Sequence, residues 1–139
     1  VLVYVDGLTI KTNTVELTGT LPDKQVIVLS SDKSTLYAGE CTEDPAIHFD
    51  KGDDAIKLEK RSDNGDSYIP LDIFGHIGKP SQAWTTEEGH STHLSTLRRK
   101  PWVRSGVSEN PDSGFPTLGT EWDFYDADDV SGLGHHIME

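Results

Sequence analysis

The sequence predicts an all-β chain folded as a β-sandwich, with a long irregular C-terminal segment. Three observations support this fold class. Apolar and polar residues alternate in several short runs, which is the period of a β-strand. Turn-forming residues, including Asp-Gly and Asn-Gly pairs, separate these runs. No stretch of useful length carries the apolar stripe that a packed helix needs.

The first third of the chain contains three predicted strands. Leu2–Val5 is a short apolar run that ends at an Asp-Gly turn pair, and Thr9–Leu17 follows it with many Thr, Ile and Val residues. Four consecutive apolar residues lie within Gln25–Ser30, a pattern typical of a central strand covered on both faces. Residues 31–45 show no periodicity, so we predict a loop there.

A hairpin is predicted in the middle of the chain. A tight turn precedes Ala55–Glu59, whose two apolar residues share one face of a strand. Asn64 and Gly65 then predict a type I′ turn, because this pair tolerates two positive φ angles. Tyr68–Phe74 returns as the partner strand, and Pro70 within it indicates an edge strand or a bulge.

Beyond Gly75 the composition shifts to Gly, Pro, Ser and Thr, interrupted by the more apolar run Leu94–Val103. Ser105–Glu139 is acidic and loop-like, but it is rich in aromatic residues, which disordered segments avoid. We therefore expect this segment to be pinned onto the strands. The whole pattern predicts an immunoglobulin-like β-sandwich. The residues expected in its core are Val26, Val28, Ile56, Leu58, Ile73, Leu97, Trp84 and Trp122.

Length and charge limit the classes of function. The chain has 139 residues, which fits one domain spanning 1–139. Its formal net charge of -12 repels phosphate backbones, so nucleic acid is a disfavoured partner for the domain as a whole. Cys41 is the only cysteine, which rules out an intrachain disulfide. No apolar stretch is long enough to predict a membrane span.

Acidic residues gather at the turn before the predicted hairpin. Asp50, Asp53 and Asp54 are a candidate calcium site, since Ca²⁺ prefers several oxygen ligands at flexible geometry. Their spacing is not that of an EF-hand loop. The favoured interpretation is structural: these side chains accept hydrogen bonds from backbone N–H groups of the turn. No other cofactor is predicted.

The basic cluster of the chain is the candidate partner-contact site. Strand alternation places Arg98 and Lys100 on one face and Arg99 on the other, with Trp102 and Arg104 close behind. One interpretation is contact with phosphate or with an acidic partner. The favoured one is ion pairing with the acidic C-terminal segment of the same chain. An exposed Trp102 beside Arg104 would favour partner contact.

Sequence motifs for catalysis are absent, so we predict that the chain is not an enzyme. It contains no nucleophile elbow, no phosphate-binding Gly-rich loop and no H-E-x-x-H pair. The alternative kept open is a calcium-dependent hydrolase that uses Asp53, Asp54 and a histidine such as His76. Such an enzyme would require these side chains to converge in a cleft.

Several segments, taken in order, resemble the bacterial lamin-tail-like domains of the lamin tail domain family. The similarity runs from Tyr4 almost to the end of the chain and depends on the order of the segments, since no single one is specific. The segments are FDKGDDAIKL at Phe49–Leu58, LDIFGHIG at Leu71–Gly78, Trp84, TLRRKP at Thr96–Pro101, EWD at Glu121–Asp123 and GLGH at Gly132–His135. His135-His136 stands where the family tends to have Ser-His.

This resemblance implies an immunoglobulin-like β-sandwich in a secreted or cell-surface bacterial protein. In such proteins the domain serves as an interaction or targeting module, often beside an extracellular nuclease, so the expected partner is a protein or a neighbouring catalytic domain. A nucleic-acid-presenting accessory role is the alternative. The family has an earlier strand, and we expect this chain to be a fragment that lacks it. An unpaired sheet edge, or an edge covered by another copy, is the predicted consequence.

Overall fold

The computed structural model describes residues 2–6, 11–49, 51–78 and 82–139. This part of the chain is mostly β, with one helix of a single turn. The predicted all-β class is confirmed at this level. In chain order, the elements are β1 (Leu2–Asp6), β2 (Lys11–Val15), β3 (Leu29–Ser30), β4 (Thr42–Glu43), β5 (Ala55–Arg61), β6 (Tyr68–Phe74), β7 (Ser95–Arg99), α1 (Leu118–Glu121) and β8 (Trp122–Asp126).

The largest sheet has four strands in the order β2-β1-β5-β6, and each neighbouring pair is antiparallel. Leu58 lies opposite Asp72 and Glu59 lies opposite Pro70, so Leu71 has no residue opposite it. This extra residue is a β-bulge on an edge strand. Both alternatives predicted from Pro70, an edge strand and a bulge, are therefore confirmed.

The β5–β6 hairpin forms as predicted, but the predicted type I′ turn is wrong. That turn needs positive φ at both central residues, whereas Gly65 has a φ of 78° and Asn64 is not in the positive-φ region. The strands are instead closed by a longer loop, in which Ser67 N–H donates to Ser62 Oγ at 3.1 Å and Ser62 N–H donates to Ser67 C=O at 2.8 Å. Asn64 Oδ1 accepts the Ser62 hydroxyl at 2.6 Å.

The predicted central strand Gln25–Ser30 is wrong. Only Leu29–Ser30 is extended in a ladder, paired in parallel with β4, and Ile27 is exposed. A two-residue partner strand cannot cover four apolar side chains on both faces. Tertiary pairing therefore overrides the local strand propensity of this run.

β7 and β8 form a separate antiparallel pair that the sequence did not predict beyond its first strand. The aromatic ring of Phe74 on β6 joins this pair to the larger sheet. Its centroid lies 5.1 Å from Trp122, 4.7 Å from Phe115 and 6.4 Å from Trp84, all in edge-to-face geometry. The predicted pinning of the C-terminal aromatic residues is thus confirmed for Phe115 and Trp122.

Burial corrects part of the predicted core. Ile73 is 3% exposed, as predicted, but Val26 is 37% exposed and Leu58 is 38% exposed. Val26 lies in the segment that fails to form a strand, and Leu58 lines an open apolar cleft between β5 and β7. The other predicted core residues are half-buried. No helix among the described residues has the length and hydropathy to cross a membrane.

Candidate functional site

Arg99, in the predicted basic cluster, has a mostly buried side chain that is hydrogen-bonded to carboxylates of the same chain. Its guanidinium makes two hydrogen bonds to the Asp72 carboxylate and one of 3.2 Å to Glu121, and it lies 5.0 Å from the ring centroid of Trp122. Burial alone would lower the pKa of Arg99, but these two carboxylates outweigh it and raise that pKa above its ordinary value. Arg99 is therefore a structural cation, held by two strands and α1.

Arg98 points to the opposite face, as strand alternation predicts. It pairs with Asp129 at 2.8 Å, donates to Ser131 Oγ at 2.8 Å and lies 4.0 Å above the ring of Tyr125. Hydrogen bonds from the Ser131 hydroxyl and backbone N–H, together with the Arg98 charge, lower the pKa of Asp129. This ion pair with the acidic C-terminal segment is the kind of contact that the favoured interpretation expected.

Trp102 differs from its basic neighbours, because its side chain is 54% exposed. The end of the chain lies beside it: Glu139 N–H donates to Pro101 C=O at 2.9 Å, and Arg104 donates twice to Glu139 C=O. Met138 and Ile137 are 57% and 70% exposed. We call Trp102, Arg104, Ile137 and Met138 the Trp102 surface.

The predicted turn before β5 is present in the structure. Asp50, the first of the three predicted calcium ligands, lies outside the described residues. Lys51 and Gly52 both have positive φ, 56° and 74°, and the carbonyl of Gly52 accepts the Thr92 hydroxyl at 2.6 Å. Asp53 and Asp54 follow this turn and are buried immediately before β5. Within the part of the chain that the structure describes, no three His, Cys, Asp or Glu residues form a group that could hold a metal ion. Asp53, Asp54 and His76 thus do not meet as a metal-binding trio.

A groove that the sequence did not predict runs along β8. Four consecutive β8 residues, Trp122 to Tyr125, line it together with the segment Thr85–His90 and α1. Consecutive residues of a strand point to opposite faces, so a groove lined by all four follows the edge of the strand. No β7 residue lines it, which identifies the edge facing away from β7. We call this space, of about 920 Å³, the β8 groove.

The walls of the β8 groove are aromatic at the base and acidic at the rim. His90 stacks on Phe124 at 4.9 Å and 18° between ring planes, which fixes the Thr85–His90 segment across from β8. Glu87, Glu88 and Asp123 supply the carboxylates. Lys100 also lines the groove, and its ammonium donates to Thr120 C=O at 3.0 Å. The sequence feature that could have predicted β8, and with it this groove, is the alternation of Trp122 and Phe124 with charged residues, which is a strand pattern.

Comparison of the chain with protein-family models, with curated proteins and with solved structures finds no match in any of the three.

Proposed function

We propose that the chain is a non-catalytic interaction module that acts outside the cell as an accessory part of a larger bacterial protein. We further propose that it is an immunoglobulin-like β-sandwich of the lamin-tail-like kind. The ordered resemblance of the segments from Phe49 to His135 supports this assignment. The contact of Phe74 with Trp122 is compatible with two facing sheets.

The exposed Trp102 is the observation that carries the binding role. A tryptophan and an arginine are the side chains most enriched at the energetic centres of protein interfaces. Burying Trp102 in a partner removes a large apolar surface from water at low conformational cost. The hydrogen bonds from Arg104 to Glu139 hold the surrounding backbone in place, so a partner meets a preorganised surface.

A protein partner fits this surface better than nucleic acid does. Arg98 and Arg99 already have carboxylate partners, and Lys100 donates to a backbone carbonyl. Few cations of the cluster therefore remain for phosphate groups, and the net charge of -12 repels a nucleic acid at long range. An apolar surface with one neighbouring arginine is typical of the centre of a protein interface.

The test begins with capture of proteins from the culture medium and cell surface of the organism that encodes the chain. The captured protein is purified, and its affinity is measured by calorimetry with the wild-type chain, Trp102→Ala and Tyr68→Ala. Tyr68 is the matched control, since it is an exposed aromatic residue on β6. We expect Trp102→Ala to weaken binding about thirtyfold, equivalent to about 2 kcal/mol, and Tyr68→Ala to leave it unchanged.

The alternative functions give different results in the same samples. A nucleic-acid-presenting domain would bind oligonucleotides with steep salt dependence and lose binding on charge reversal at Arg98, Lys100 and Arg104. A calcium-dependent hydrolase would release product only with calcium, and Asp53→Asn or Asp54→Asn would abolish that activity. Either outcome, or equal affinities of Trp102→Ala and the wild type, would overturn the proposed function.

A further inference from the structure

The outer edge of β8 carries backbone hydrogen-bonding groups that no described residue uses. Lys100 N–H donates to Glu121 C=O at 2.8 Å, so these two residues, which continue the β7–β8 register, form a hydrogen-bonded pair. Hydrogen-bonded and non-hydrogen-bonded pairs alternate from there along the two strands. The backbone groups of Asp123 and Tyr125 then lie between the strands, and those of Phe124 point outward. Among the described residues, nothing is hydrogen-bonded to the N–H or C=O of Phe124. Such an edge is a template for an added strand.

An added strand at this edge would lie inside the β8 groove. Neighbouring strands are about 4.8 Å apart, and the groove begins at the edge itself. Its volume of about 920 Å³ is at the upper end of the range for ligand pockets. Every second side chain of the guest would face the half-buried rings of Trp122 and Phe124, and the others would face the opposite direction.

We propose that the β8 groove binds an extended, positively charged peptide segment of a partner protein, which pairs with the free edge of β8 as an additional strand. Backbone hydrogen bonds supply part of the affinity, and the side-chain contacts select the sequence. This binding site is separate from the Trp102 surface, so it stands even if that surface binds nothing.

Charge selects the occupant. Glu87, Glu88 and Asp123 line the groove, and the chain as a whole carries a net charge of -12. A peptide with lysine or arginine at alternate positions is attracted to this rim. A second copy of the chain is disfavoured as the occupant, because its own β8 carries Asp123 and Asp126 and would enter a groove lined by Glu87, Glu88 and Asp123.

The probe is a fluorescein-labelled octapeptide of alternating lysine and valine, titrated into the 139-residue chain. Its affinity is measured by fluorescence anisotropy, and its position by amide chemical shifts and hydrogen exchange. We expect the Phe124 amide to shift and to exchange more slowly. Methylation of the peptide nitrogens that face β8 should weaken binding about tenfold or more, since it removes backbone hydrogen bonds. An alternating glutamate-valine peptide should not bind.

Charge-reversed variants distinguish the effect of the carboxylates in the groove from the effect of the net charge of the chain. Glu87→Lys with Glu88→Lys should weaken binding of the lysine-valine peptide about tenfold at about 0.1 M salt. Asp63→Lys with Asp66→Lys makes the same change in net charge at the tip of the β5–β6 loop and is the matched control. We expect this control to change the affinity by no more than about twofold, because exposed charges farther than about 10 Å are screened.

Four outcomes would overturn the proposal. Equal affinity of the N-methylated peptide would mean charge attraction without strand pairing. Amide shifts confined to residues outside the groove would place the peptide elsewhere. Absence of binding at millimolar peptide would mean that the edge is not a binding site. Self-association of the chain with a shifted Phe124 amide, seen without peptide, would mean that a second copy occupies the edge.

Discussion

Replacing Asp72 with alanine removes the centre of the hydrogen-bond network that joins β6, β7 and the following loop. The Asp72 carboxylate accepts two hydrogen bonds from Arg99, and Asp72 Oδ1 accepts the Val107 N–H at 2.8 Å. The side chain of Arg99 is 17% exposed and that of Asp72 is 31% exposed. Asp72→Ala therefore leaves a mostly buried guanidinium with Glu121 as its remaining carboxylate partner.

We expect Asp72→Ala to lower the free energy of unfolding by about 3 kcal/mol. Removing one partner of a fully buried ion pair costs about 3–5 kcal/mol, and a hydrogen bond to a charged group contributes about 1.5–3 kcal/mol. Partial exposure of Asp72 and the remaining contact with Glu121 place the cost at the lower end. Glu121→Ala removes one hydrogen bond of 3.2 Å, so we expect about 1 kcal/mol.

The assay is urea unfolding, followed by tryptophan fluorescence and by far-ultraviolet circular dichroism. At a typical slope of about 2 kcal/mol per molar, Asp72→Ala should lower the midpoint by about 1.5 M urea. Asp63→Ala is the control, because its contact with Lys60 is 3.9 Å long and its side chain is 100% exposed. Equal midpoints for Asp72→Ala and Asp63→Ala, or a larger loss for Glu121→Ala, would refute the reasoning.

Two further predictions concern the aromatic cluster and the Asp129 carboxylate. Phe74→Ala should lower the free energy of unfolding, measured in urea, by about 3 kcal/mol, since it removes contacts with three aromatic rings. The control, Tyr68→Ala at an exposed residue, should lower it by less than about 0.5 kcal/mol. Similar losses for the two variants would contradict this prediction. The pKa of Asp129 is lowered in the folded state, so its contribution to stability is present above the ordinary value of 3.8 and is lost as the pH falls through the lower folded value. Ser131→Ala should raise that pKa toward the ordinary value in a carboxyl NMR titration, and an unchanged titration would show that Ser131 does not stabilise the ionised form.

Local sequence patterns were sufficient to predict a strand pair whose two strands are close together in the sequence. The β5–β6 hairpin was predictable because two alternating runs flank a short turn-forming segment, and the predicted bounds of β6 coincide with those observed. The exact turn type was not predictable, because the Ser62 and Ser67 hydrogen bonds stabilise a longer loop. The strand prediction for Gln25–Ser30 was wrong because its one strand partner within the described part of the chain, β4, is two residues long.

The candidate sites depend on contacts between segments far apart in the chain. The sequence predicted ion pairing of the basic cluster with the acidic C-terminal segment as the favoured interpretation, but it could not identify Asp129 as the partner of Arg98. The sequence likewise could not predict whether Trp102 is exposed or buried, and the structure shows that it is exposed. The β8 groove was missed because β8 itself was missed: acidic residues within WDFYD made an alternating aromatic strand resemble an acidic loop.

The internal pairing of the arginines has a consequence for recognition. Arg98 and Arg99 fix the C-terminal segment and α1 against β7, and they do so with side chains that a charge count would assign to ligand binding. The surface left for a partner is then apolar at Trp102 and acidic at the β8 groove. A cationic, partly apolar protein segment matches both properties, whereas a polyanion matches neither. We therefore propose that the basic cluster stabilises the fold and does not bind anions.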